Sequence, residues 1–165
     1  MQITANRVGV SLQAPQALSV LVIGYGNPGR QDDGLGPAAA GAIAALAWPG
    51  VTVIDDYQLV IENVPTIVEH DVVWFVDAAQ SGPAPYTLQP LLPVFDVSFT
   101  SHLVKPEALL AMAKQYFGRV PEAYLLGIRG YHFEFSEGLS EAAQNNLDCA
   151  LILLKSRLTA ALGWS

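Results

Sequence analysis

Short apolar runs that end on glycine or aspartate alternate with longer stretches at helical spacing, and this alternation restricts the fold more than any other feature of the chain. Ala17 to Gly24, ALSVLVIG, reads as a buried strand, as do Val51 to Ile54, Val72 to Val76 and Tyr124 to Ile128. Between them, Gly34 to Ala47 is rich in Ala, Leu and Ile, with Pro37 where a first helical turn tolerates it. Leu59 to Glu69 carries Val60, Val64, Ile67 and Val68 at helical spacing, interrupted by Pro65. Pro106 to Phe117 predicts a helix with Leu109, Leu110, Ala113 and Phe117 inward, and Leu139 to Leu162 a long closing helix. Pro83 to Pro93 is broken by prolines, as edge strands are. Strands alternating with helices predict an α/β fold, a mainly parallel sheet with helices on both faces. The polar residues 1–16 are a lead-in, and residues 17–165 form the α/β domain.

Composition narrows the possible partners. Hydrophobic residues make up 52% of the 165 and charged residues 14%, enough apolar material for one domain with a covered sheet. A net charge of -7 repels phosphate backbones, so nucleic acid is excluded as a partner. One cysteine permits no internal disulfide and suits a reducing compartment. Cys149 falls inside the apolar closing helix and is expected to pack in the core. The mean hydropathy of +0.34 raises the question of a membrane. The uncharged stretches Val8–Gly29 and Gly34–Ile54 are broken by Gln13, Gln16, Asn27 and prolines, and by Pro37 and Pro49-Gly50. They read as buried elements rather than spans. No basic start precedes a compact apolar block, so no signal peptide is expected and the cytoplasm is the expected location.

Ligands of an open parallel sheet bind beyond the carboxyl ends of its strands, where strand order reverses. Three polar loops leave strand ends: Gly24–Gly34, Asp55–Gln58 and Asp77–Gly82. If strands one and three are neighbours, Asp33 and Asp77 emerge on one rim, and His102, just before a helix, can join them. Two carboxylates and an imidazole suit a first-row divalent metal. Each residue also has a plainer reading: Asp32 or Asp33 as a helix cap, Asp77 as a turn former, His102 as a loop residue. Pro37 weakens the cap for Asp33, because a helix starting there puts the cap at Gly36. His70 is placed at a helix C-terminus, Glu137 at the start of the last helix, and His132 on a late loop near the rim.

GYGNPG at Gly24–Gly29 fits a dinucleotide-binding turn, with Asp55 or Asp56 ending the next strand. Pro28 and the Asp32-Asp33 pair, however, occupy the turn where main-chain N–H groups should receive a pyrophosphate. HExxH and GxSxG are absent from the sequence.

The segment GYGNPGRQDDGLG, Gly24 to Gly36, resembles the GxGNxxRxDDGxG signature of the hydrogenase maturation proteases. FVDA at Phe75–Ala78, the Ser101-His102 pair, DYQL at Asp56–Leu59 and EGLS at Glu137–Ser140 follow in the same order, so the resemblance runs from Leu21 to about Leu158. It implies a three-layer α/β/α sandwich around a mainly parallel, twisted five-stranded sheet. It also implies a metal-dependent, aspartate-type endopeptidase that removes the C-terminal extension of a [NiFe]-hydrogenase large-subunit precursor. Asp33, Asp77 and His102 would be its catalytic and metal-contacting residues, with Asn27, Asp32, Asp56 and Gln58 as substrate contacts. The nickel would arrive in the substrate and be held weakly or not at all by the free enzyme, a monomer. The cut would follow a basic residue. Three alternatives remain: a peptidyl-tRNA hydrolase-like enzyme, which shares GxGNPG but needs a TRHN-like element and a basic surface; a dinucleotide-binding enzyme; and a nickel checkpoint that docks without cutting.

Overall fold

The computed structural model describes residues 16–95 and 103–164. The expected lead-in lies almost wholly outside the described residues, as do Ser101 and His102. Five strands form one sheet among them: β1 (Val20–Tyr25), β2 (Val51–Asp56), β3 (Val72–Ala79), β4 (Tyr86–Pro90) and β5 (Glu122–Arg129). Four α-helices join them: α1 (Leu35–Ala44), α2 (Val64–Val68), α3 (Pro106–Phe117) and α4 (Glu141–Ala161). The strand order is β2-β1-β3-β5-β4. All pairings are parallel except β4 with β5, so the proline-broken segment is the edge strand expected of it, and it runs antiparallel to its neighbour.

The first five residues of β1 and of β3 are buried on both sides, which is why these strands read as continuous apolar runs rather than alternating ones. Val20, Val22, Trp74 and Val76 pack with Leu35, Ala39 and Ile43 of α1 and with Leu147, Leu154 and Leu158 of α4. Leu21, Ile23, Val73 and Phe75 pack on the other face with Val64 and Ile67 of α2 and Leu109, Leu110 and Ala113 of α3. The three layers follow from this division of alternate side chains. No described helix is long and apolar enough to cross a membrane.

Several local expectations are corrected. A 3-10 turn, Ile61–Asn63, precedes α2, so Pro65 falls in the first helical turn, where its missing N–H matters least. Phe117 is exposed, because α3 ends there at Gly118 in the left-handed conformation. Cys149 is exposed too, on the outer side of α4. The cap of α4 is Ser140, whose hydroxyl accepts from Ala143 N–H, and not Glu137. His70 lies just past α2, with Nδ1 2.7 Å from the Thr66 carbonyl and Nε2 2.9 Å from the Thr52 hydroxyl.

Candidate functional site

The strand order places the reversal between β1 and β3: the chain leaves β1 for β2 on one side and returns to β3 on the other. The β1–α1 loop and the end of β3 therefore flank one crevice, the expected ligand position in such sheets. The close approach here depends on two glycines. A Cβ on Gly24 would collide with the Gly36 carbonyl, and one on Gly36 with the carbonyls of Tyr25 and Val76. The start of α1 thus sits directly on the ends of β1 and β3. Gly26, with φ of 143°, lies against the main chain of Asp33, which brings that residue back over the strand end.

The loop satisfies its own donors. Gly26 N–H donates to Asp56 O, Asn27 N–H to Asp33 Oδ2 at 2.8 Å, and Gly29 N–H to Asn27 Oδ1 at 2.9 Å. The N–H groups of Arg30, Gln31, Asp32 and Asp33 go to the carbonyls of Asn27, Ser136, His132 and Arg30. Pro28 has none to give. A pyrophosphate would find no nest of open N–H groups, which counts against the dinucleotide reading.

Asp33 is half-buried, and no side-chain cap bond forms at the 3-10 turn Gln31–Gly34 or at α1. The residue preceding α1 is Gly34, not Gly36. The capping reading of Asp33 therefore fails on geometry. Asp77, also half-buried, accepts from Ala78 N–H at 2.8 Å through Oδ1. Burial pushes its carboxyl up to about 6; the neighbouring charge of Asp33 adds to the rise, while Ala78 N–H and the Tyr25 phenol oppose it. The two carboxylates are thus close enough to sense each other. The Tyr25 phenol is held well above its usual range by burial and by Asp77, with Glu107 of α3 contributing.

His102 lies outside the described residues, and among those described no group of three or more His, Cys, Asp or Glu side chains could hold a metal. Asp56 and Gln58 are exposed; Asp56 Oδ1 accepts from Tyr57 N–H, and its strand pairs with β1 beside Tyr25. Asn27 is half-buried, its side-chain oxygen engaged by Gly29.

Asp32 is the correction. It is 0% exposed and accepts four hydrogen bonds: from Tyr131 N–H at 2.8 Å, His132 N–H at 3.0 Å, Ser140 N–H at 2.7 Å and the Ser140 hydroxyl at 2.8 Å. Burial works against the charge, but these bonds outweigh it and hold the carboxyl below its ordinary range. A carboxylate so enclosed cannot contact a substrate; it fastens the β5–α4 loop to the β1–α1 loop. Arg30 works beside it, donating from Nη2 to Phe133 O at 3.0 Å with its guanidinium 5.6 Å from the Phe135 ring. Between the two loops runs an open groove of about 320 Å³ lined by Pro28, Gln31, Gly34, Pro37, Ala38, Gly138 and Leu139. Sequence reasoning missed the Asp32 clamp, the Arg30 tie and the placement of Tyr25. Its one available signal was the pairing of the two matched segments, GYGNPGRQDDGLG and EGLS.

No protein-family profile matches the sequence. No curated protein matches it either. Solved structures do match, over most of the chain. The [NiFe] hydrogenase maturation protease HycI from Thermococcus kodakarensis superposes with a TM-score of 0.69 at 21% identity, covering 86% of this chain and 94% of that one. The hydrogenase maturating endopeptidase HybD from E. coli gives 0.68 at 20% identity over 86% and 93%. A hydrogenase 2 maturation peptidase from a Thaumarchaeota archaeon gives 0.62 at 25% identity over 84% and 97%. At these identities the likeness is one of fold: the chain has the α/β fold of solved hydrogenase maturation proteases.

Proposed function

We propose that this chain is an endopeptidase that removes the C-terminal extension of a [NiFe]-hydrogenase large-subunit precursor, recognising nickel already seated there. The observation that carries the reading is the closeness of Asp33 and Asp77, near enough for one charge to affect the other, at the β1/β3 reversal of a fold shared with solved hydrogenase maturation proteases. Paired carboxylates repel each other, and a divalent cation relieves that repulsion. His102 would add an imidazole, completing an oxygen-and-nitrogen donor set suited to nickel but without the thiolates that hold it tightly. The proposed roles are therefore those of a rim that meets a metal rather than keeps one. Asp56 and Gln58, exposed on the neighbouring loop, are the proposed substrate contacts, with Asn27 shaping the turn between them and Asp33. An acidic rim also suits a partner that presents a metal ion and a basic residue before the scissile bond.

The test is to incubate the chain with nickel-loaded and with nickel-free precursor and weigh the products by mass spectrometry. Loss of a C-terminal peptide from loaded precursor alone is the expected result. Cutting of nickel-free precursor, or of an unrelated unfolded protein, would overturn metal recognition. Loaded precursor that is bound yet left intact would favour the checkpoint reading.

A further inference from the structure

We propose that the free edge of β2 receives the substrate's C-terminal extension as an added strand and leads it to the crevice of Asp33 and Asp77; this rests on the proteolytic reading just given. The sheet order leaves two outer strands, β2 and β4. The Asp56 carbonyl accepts from Gly26 N–H, so the main chain of Asp56 faces β1. Main-chain groups alternate in direction along a strand, so Thr52 and Ile54 face β1 as well, while Val51, Val53 and Asp55 face outward. Val51 N–H is taken by the Trp48 carbonyl. The N–H and C=O groups of Val53 and Asp55 have no main-chain partner among the described residues.

The two edges differ in how they are protected. In β4 the Pro85 carbonyl and Leu91 N–H pair with β5, so the same alternation turns Tyr86, Leu88 and Pro90 outward. Pro90 has no N–H to offer there, and Pro85 and Pro93 stand at either side of the strand. Proline blunts an edge in this way. β2, with the sequence VTVIDD, contains neither proline nor lysine. It remains a template for pairing, and the chemistry that matches a row of N–H and C=O groups is another extended main chain.

Charge and position choose the occupant. A second copy of this chain carries the same net charge of -7 and is repelled. A segment with a basic residue beside its scissile bond is drawn to Asp55 and Asp56, both exposed where β2 reaches the rim. Val51, Val53 and Ile54 are only half-buried, so apolar side chains on the added strand would cover them. Strands lie about 4.8 Å apart, so the path from the outer edge of β2 to the crevice between β1 and β3 is roughly 12 Å, about four residues of extended chain. With the metal-bearing body of the substrate at Asp33 and Asp77, the part free to reach the edge is the extension beyond the cut.

The variant that tests this is Asp55→Pro, which removes an outward N–H and fills the edge without touching the pairing with β1. Asp55→Ala removes the same charge and keeps the N–H. Asp55→Pro should bind nickel-loaded precursor about tenfold more weakly than Asp55→Ala does, the loss of about one or two main-chain hydrogen bonds, with similar thermal midpoints. Precursor already trimmed of its extension should bind both variants alike. In wild type, the Val53 and Asp55 amides should exchange with deuterium freely and become protected when precursor is added. If Asp55→Pro fails to fold, this exchange decides the matter. Equal affinity of the two variants for full-length precursor would overturn the proposal, as would a proline effect that persists with trimmed precursor. So would amides protected before precursor is added, because another part of this chain or a second copy would then hold the edge. Precursor that protects the edge yet stays uncut would overturn the proteolytic reading alone. Cutting without a proline effect would overturn the added strand alone, and a precursor that does not bind would overturn both.

Discussion

Asp32 and Asp33 are neighbours in sequence with the same side chain, yet they do opposite things. Asp32 turns inward, is fully buried and accepts four hydrogen bonds from residues about a hundred positions away. Asp33 is only half-buried, accepts one bond, from Asn27 N–H, and lies near enough to a second carboxylate, Asp77, for its charge to be felt there. The first charge is stabilised by donors that never leave it. The second is left with unmet demand, the condition under which a carboxylate can act on something from outside. The difference shows that solvation, not residue type, separates a structural acid from a candidate functional one.

The sharpest way to break this comparison is Asp32→Ala. It would strip the partners from three main-chain N–H groups and a hydroxyl, each costing roughly 1–3 kcal/mol when left unsatisfied. Partial relaxation should bring the total to about 4 kcal/mol, seen as a thermal midpoint lowered by about 8–16 °C. A midpoint within about 2 °C of wild type would show that Asp32 is not the fastening described. The acid arm of the same test follows from its lowered carboxyl. The folded form of Asp32 holds its proton less readily than the unfolded form, so its stabilisation is present above the unfolded value of about 3.9 and is lost as pH falls through the lower folded value.

Asp33→Asn should do the reverse. The amide oxygen can still accept from Asn27 N–H, so stability should hold, while a neutral amide is a poor ligand for a divalent cation. Cleavage of nickel-loaded precursor should drop by about 100-fold, equivalent to about 2.7 kcal/mol in the barrier. Near-normal cleavage would return Asp33 to the plain loop residues.

Asp77→Asn offers the smallest effect and an inverted sign. Its folded carboxyl lies at about 6, above the unfolded value of about 3.9, so between those limits the folded protein holds a proton that the unfolded chain has lost. That contribution is fully present below about pH 4 and disappears as pH rises through 6. At pH 7.5 the wild type therefore carries a strained charge, and Asp77→Asn should be more stable by about 1–2 kcal/mol. The two proteins should converge at pH 4. Thermal midpoints across that range check it, and a variant less stable than wild type at pH 7.5 would contradict the assignment.

The fold was readable because β1 and β3 are buried on both faces and so appear as uninterrupted apolar runs, and because proline marks the β4 edge. Asp33 and Asp77 could be paired from sequence alone, since strand ends next to a reversal converge whatever their side chains. Asp32 could not be separated from Asp33: its partners Tyr131, His132 and Ser140 are distant in sequence, and nothing local signals them. Tyr25 was hidden for another reason, because a tyrosine ending an apolar strand looks like core until the register sets it beside Asp77. Cys149 misled because a helix this long presents part of its apolar-looking sequence to solvent.

The β1–α1 loop engages every main-chain N–H it has from Gly26 to Asp33, either within itself or with residues fixed by the fold. Such a loop has nothing to gain by reshaping around a visitor, and moving it would break bonds that no newcomer could replace. The backbone of the rim therefore works as a gauge. On the proposed reading, an incoming surface would need the right height and spacing to reach Asp33 and Asp77, and an unfinished one would be turned away by misfit before any bond is at risk.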